Sequence, residues 1–174
     1  MKQKQLVDLI VGLLLTFYAV VILILPSLNV RDIRAVLLTT FLFYTIVNTV
    51  RFIVLRETRD YEGLHYAITS LGILIATLTI KTGTPYTIAL LLFSWIALNS
   101  LAKLKKADYY HDRRDRMWKF GLLDLSIFLL AGILACINLA YSGEIQILVL
   151  GFFLLVNGIL EIFDPILKSL IAHS

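Results

Sequence analysis

The sequence predicts an all-α integral membrane protein of six transmembrane helices, built as three parallel helical hairpins. Three observations predict this class. Six uncharged stretches reach membrane-spanning length with their flanks, the Lys and Arg residues gather on one side of them, and a glycine and an asparagine recur at matching places in successive pairs. A soluble helical bundle would need a polar stripe along every helix. Segments such as "IALLLFSWIAL" and "FYAVVILIL" are apolar all round. Composition points the same way: the chain is 59% hydrophobic and 16% charged, against about 45–50% and roughly 25% for soluble domains.

The elements follow in order. A bilayer core of roughly 30 Å needs about 20 mainly apolar residues per helix. The uncharged run Leu9–Val30 gives a first span near 6–25. It is too long for a signal-peptide core and no small-x-small site follows it, so it is expected to stay as an anchor. After the turn "PSLNVRDIR", Ala35–Val50 gives a second span near 33–55. Tyr66–Ile80 gives the third, near 62–80. Past "KTGTP", Thr82–Ala102 gives the fourth, near 86–104. A charged loop over 103–119 leads to the fifth span, near 118–140, from Leu125–Gly143. The turn "YSGE" and the run Ile145–Leu160 give the sixth, near 145–167. The whole chain, 1–174, reads as one membrane domain.

Charge sets the orientation. Lys2, Lys4, Arg51, Arg56, Arg59, Lys103, Lys105, Lys106, Arg113, Arg114, Arg116, Lys119 and Lys168 lie on one side, thirteen of the sixteen basic residues. Cytoplasmic loops carry the Lys/Arg excess, so both termini are expected in the cytoplasm. No basic patch stands apart from a membrane boundary, which excludes nucleic acid as a partner. The single Cys136 lies inside span five, so no intrachain disulfide forms and the thiol packs as a small hydrophobe.

The repeat is visible at fixed spacing. Gly12, Gly72 and Gly132 lie sixty residues apart, each in an odd-numbered span. The even spans read "YTIVNTVRFI", "SWIALNSLAKL" and "FFLLVNGILEIF", each with an aromatic residue, then Asn, a small residue, apolar residues and a charge. The hairpins run over about 6–55, 62–106 and 118–168. All start and end inside, so they are parallel repeats, unlike the inverted repeats of many transporters.

The polar residues of these spans form the candidate site. Tyr44, Asn48 and Arg51 share one face of span two. Trp95, Asn99, Lys103 and Lys106 do so on span four, and Phe153, Asn157, Glu161 and Asp164 on span six. The odd spans add Asp8, Glu62, His65 and Asp124. At 1.5 Å per residue, Asn157, Asn99 and Asn48 lie roughly 18, 20 and 22 Å from the outer ends of their spans, and Asp124 roughly 10 Å from its cytoplasmic end. An asparagine in a membrane helix bonds across to a neighbour, worth on the order of 0.6 to 2 kcal/mol. A charge there costs at least ~2.5 kcal/mol unless paired or hydrated. Arg51 is expected to pair with Asp124 or Glu161; the alternative for Glu161 and Asp164 is to reach cytoplasmic water, since Lys168 marks the nearby interface. The residues serve either as helix glue or as a polar vestibule, and for the second use the candidate binding residues are Asn48, Arg51, Asn99, Asp124, Asn157 and Glu161.

The segment "KLKKADYYHDRRDRMWKFG" suits anionic lipid headgroups, through Lys105, Lys106, Tyr109, Tyr110, Arg113, Arg114 and Trp118. Membrane lipids are thus the first partners, beside a second copy of the chain or another membrane protein. Glu62 and His65 have the Glu-x-x-His spacing of di-metal bundles, but that pair occurs once where such sites need it twice, so no metal or other cofactor is expected. No Gly-x-Ser-x-Gly, zinc motif, phosphate loop or dinucleotide fingerprint occurs. An enzyme acting on lipid would draw on His65, Asp124 or Glu161, with no nucleophile in view beside them; catalytic residues are expected to be absent.

The stretches "VGLLLTFYAVVILILP", "WKFGLLDLSIFLLAGILA" and "GFFLLVNGILEIF" resemble the repeated hairpins of the HdeD-like acid-resistance membrane proteins. The matching elements are Gly12 with Pro26, Trp118 with Gly121 and Asp124, and the stretch from Gly151 to Glu161. The middle hairpin departs from the pattern, with Asn99-Ser100 where a small Gly stands and Pro85 after the turn. The resemblance implies a six-helix protein of the bacterial inner membrane, linked to acid stress, with no known reaction. It leaves open an accessory or scaffold role and a channel or small-solute role.

Overall fold

The computed structural model describes residues 3–56, 61–80, 84–113, 115, 117–140 and 145–171. It shows six helices: α1 (Gln3–Ile24), α2 (Ile33–Val54), α3 (Glu62–Thr79), α4 (Pro85–Asp112), α5 (Met117–Ala140) and α6 (Gln146–Ile171). No strand occurs among the described residues. Local chemistry sets the ends. A 3-10 turn over Leu25–Leu28 follows α1 and closes on Asn29, which adopts a left-handed φ of 62°, a conformation Asn tolerates better than most residues. The Asp32 carboxylate accepts from the amides of Arg34 and Ala35 at 3.0 and 3.2 Å and caps α2. Thr84 caps α4 by accepting from the Thr87 amide at 3.3 Å, and Pro85 takes the first helical position, where its missing N–H costs nothing.

Five helices are long and apolar enough to cross a membrane: α1, α2, α4, α5 and α6. The expected third span is the exception. At 18 residues α3 is the shortest of the six, and Glu62, His65, Thr69, Ser70, Thr77 and Thr79 keep it less apolar than a spanning helix of that length needs to be. The charged loop expected over 103–119 is also corrected. Helix α4 runs on to Asp112, because Leu, Lys and Ala in "LAKLKKA" are strong helix formers and Lys103 and Lys106 face partners inside the bundle.

The six helices close into a ring in chain order, with α6 returning to α1. The seams alternate. Close packing joins α2 to α3, α4 to α5 and α6 to α1, while α1–α2, α3–α4 and α5–α6 meet more loosely. Small residues make the close seams. A Cβ on Gly158 would stand 2.6 Å from Thr16 Oγ1 and 2.7 Å from its amide nitrogen. Gly12 would meet Ile162 at 2.8 Å, Gly121 would meet Ala107 at 3.0 Å, and Gly132 would meet Ile96 at 2.8 Å. Gly72 departs from its two counterparts, facing open space.

The core is aromatic at its centre. Trp95 is buried, with Tyr44 edge-on at 5.0 Å and Phe153 at 6.2 Å, and Phe41 and Phe128 close by. Its indole N–H donates to Ser70 Oγ at 3.0 Å. The outer surface carries Phe17, Leu130, Phe152 and many other exposed aliphatic and aromatic residues, while the charged Asp8, Arg51, Lys103 and Glu161 are buried inside.

Candidate functional site

Each helix delivers a charged side chain to one layer of the interior, toward the end of the ring where α1 starts and α6 finishes. Asp8 comes from α1, Arg51 from α2, Glu62 from α3, Lys103 and Lys106 from α4, Asp124 from α5, and Glu161, Asp164 and Lys168 from α6. Arg51 Nη2 lies 2.8 Å from Asp8 and 3.1 Å from Glu62. Lys106 bridges Glu62 at 3.0 Å and Asp164 at 2.8 Å, and Lys168 joins Asp164 at 2.6 Å. Lys103 holds Asp124 at 2.9 Å and Glu161 at 3.1 Å, and its ammonium also faces the Phe128 ring at 5.2 Å. Buried charges are tolerated when paired and hydrogen-bonded.

The expected pairing of Arg51 with Asp124 or Glu161 is therefore corrected. Arg51 sits between α1 and α3, its ring neighbours, and takes their carboxylates. The cation for Asp124 and Glu161 is Lys103, one turn beyond Asn99 on the same face of α4. Glu161 is buried, 8% exposed, so it ends on Lys103 and not in cytoplasmic water. Lys106 likewise points inward to Glu62 and Asp164, where a headgroup contact was expected.

The asparagines form the next layer. Asn48, Asn99 and Asn157 are all buried, and all line one cavity on the ring axis with Tyr44, Tyr66, Arg51, Lys103 and Glu161. They do not bond one another. Asn157 Nδ2 donates to the Tyr44 hydroxyl at 2.9 Å, tying α6 to α2 across the ring. Asn48 Nδ2 donates to the Tyr44 carbonyl of its own helix at 2.9 Å. The cavity leaves about 20 Å³ open to the centre of a water-sized sphere, enough for roughly one water. Four buried polar atoms on its wall lack a protein partner: Asn99 Oδ1, Asn157 Oδ1, Arg51 Nε and Tyr66 Oη.

Other positions are peripheral. Lys105, Tyr109 and Arg113 are exposed and Tyr110 and Trp118 half-buried. Arg113 stacks over the Tyr109 ring at 4.2 Å, and Lys168 lies 5.3 Å from the Tyr110 ring centre. Arg114 lies outside the described residues. His65 Nε2 is 3.1 Å from the Leu98 carbonyl, so it ties α3 to α4. At the exposed end of α4, Asp108, His111 and Asp112 each bring a ligand atom within 4.8 Å of the others, a spacing that i, i+3, i+4 positions produce on any helix face.

Sequence reasoning named Asp8, Glu62 and Lys103 among the polar residues of the spans yet left them out of the candidate binding residues, and it gave Lys106 to the headgroups. The usable signal was the turn after each asparagine, which carries Arg51, Lys103 and Glu161. Tyr66 carried no such signal. Comparison with known proteins finds no matching family model, no matching curated protein and no matching solved structure.

Proposed function

We propose that this chain is a non-enzymatic multi-pass protein of the bacterial inner membrane, an accessory or scaffold of HdeD-like, stress-linked type. In this reading all six helices span, α3 being sheltered by its neighbours, and both termini face the cytoplasm. The apolar outer surface and polar interior suit lipid, where packing and internal polar bonds hold helices together. The seams support three hairpin repeats, since the loose-then-close alternation recurs three times around the ring.

One observation carries the role. The four cations Arg51, Lys103, Lys106 and Lys168 are all spent on carboxylates of the chain itself. Together these pairs clasp all six helices, which favours a mechanical part over a chemical one. The cavity above them is far below the roughly 300–1,000 Å³ of small-molecule sites.

The second reading is a small-solute binding or channel subunit, and the four unpartnered wall atoms favour it. Native mass spectrometry of gently extracted protein separates the two. The clasp reading expects no small polar molecule at fixed ratio. A stoichiometric solute that vanishes on Asp124→Asn or Glu161→Gln, in protein that stays folded, would overturn it.

A further inference from the structure

Arg51 Nε, Tyr66 Oη, Asn99 Oδ1 and Asn157 Oδ1 meet no protein partner. Their residues are 2%, 7%, 3% and 4% exposed, and all four line the cavity on the ring axis. They come from α2, α3, α4 and α6. A buried polar atom left without a partner is costly, so four of them around one cavity point to an occupant. Their chemistry selects it. Asn157 already gives its amide to the Tyr44 hydroxyl at 2.9 Å, which leaves Oδ1 to accept. Two of the four atoms are carbonyl acceptors, Arg51 Nε only donates, and the Tyr66 hydroxyl does either. A halide would be repelled by the carbonyl oxygens, and a cation by the guanidinium. Water donates twice and accepts twice, so it suits all four. Space agrees, because about 20 Å³ admits roughly one water and the four atoms must share it.

We propose that the axial cavity is a blind-ended binding site for one water molecule, which donates to Asn99 Oδ1 and Asn157 Oδ1 and accepts from Arg51 Nε and the Tyr66 hydroxyl. The far end is closed by rings. Tyr44, Trp95 and Phe153 each stand four residues before an asparagine of the same helix, one turn or about 6 Å further from the charges. Phe128 stands four residues after Asp124 on α5, which runs the other way. All four rings are buried. Trp95 lies 5.0, 6.4 and 6.2 Å from Tyr44, Phe128 and Phe153, and Phe128 lies 5.5 Å from Phe153. The opposite wall is polar, with Arg51, Lys103 and Glu161. Water therefore reaches the site from the charged layer and goes no further. It ties four helices together one turn away from the ion pairs, and it accounts for the four atoms that otherwise favour a solute. This site goes beyond the clasp reading and does not depend on it; only its closed end bears on passage across a membrane.

The test is a crystal structure of the full chain, grown from a lipidic mesophase, at a resolution that shows ordered solvent, with and without a bromide soak. One solvent peak is expected within hydrogen-bonding distance of Arg51 Nε, Asn99 Oδ1 and Asn157 Oδ1, with no anomalous bromide signal there. Asn99→Leu removes an acceptor and fills part of the cavity, so the peak should vanish. Tyr66→Phe leaves three partners, so the peak should stay. If Asn99→Leu does not fold, the native chain and Tyr66→Phe decide. Native chain without the peak, bromide in its place, a peak that survives Asn99→Leu or one lost in Tyr66→Phe would each overturn the site. Liposomes carrying the protein should shrink under osmotic shock no faster than protein-free liposomes, and faster shrinkage would overturn the closed end. A dry cavity with the ion pairs in place counts against this water alone, whereas broken ion pairs count against the clasp.

Discussion

Arg51 is almost fully buried, yet one of its two terminal nitrogens, Nη2, serves carboxylates on two neighbouring helices. Arg51→Gln leaves Asp8 without its cation in the interior, and breaking such a pair from one side costs about 3–5 kcal/mol. Denaturant titration in detergent should show that loss. The Asn157–Tyr44 bond is smaller. Asn157→Leu and Tyr44→Phe should each cost on the order of 0.6 to 2 kcal/mol, and the double variant should cost little more than one alone, because both remove the same bond. At this scale the sequence was half legible. Spacing put Asn48, Asn99 and Asn157 on faces that meet, since helical period alone fixes a face. It did not tell which acid Arg51 would meet, because that depends on which helices become ring neighbours.

At the scale of the element, α4 and α6 carry most of the design. Helix α4 supplies two of the lysines and the central Trp95, and α6 supplies two of the carboxylates and the closest seam. Gly158→Ala pushes a Cβ into the backbone of Thr16, so it should separate α6 from α1 and lower the melting temperature. Gly72→Ala meets nothing and should stabilise by about 0.5–1 kcal/mol, the entropy of an unneeded helical glycine. The pair tests whether the sixty-residue glycine spacing has one structural meaning. The helix positions were legible because apolar runs of this length leave few alternatives. The end of α4 was not, because "KKADYYHD" is charged like a loop, while the pairing of Lys106 and the packing of Ala107 against Gly121 are tertiary contacts. The polarity of α3 was in plain view in Glu62, His65 and its threonines, and it weakens that helix as an independent span.

For the whole molecule, the ring explains why the charges lie where they do. Hairpins that packed only within themselves would leave six charged faces unpaired. Closing α6 onto α1 brings every one of them to a common interior. This closure was not legible in sequence, since no local signal encodes which helices meet after five turns. The Lys and Arg distribution carries an expected orientation. Cysteines introduced singly at Gln3 and at Ser27, in a Cys136→Ala background, should react with an impermeant thiol reagent from opposite sides of the membrane, Gln3 from the cytoplasm. Reaction from one side only would break the topology.

The central claim is that the charged layer is an internal clasp, and its most direct test is a cycle around Lys103. Unfolding free energy is measured in detergent for the native chain, for Lys103→Met, for Asp124→Asn with Glu161→Gln, and for the three changes together. The clasp predicts a loss of about 3–5 kcal/mol for Lys103→Met, most of it recovered when both acids are neutralised as well. Losses that simply add, or a Lys103→Met protein as stable as the native one, would contradict it.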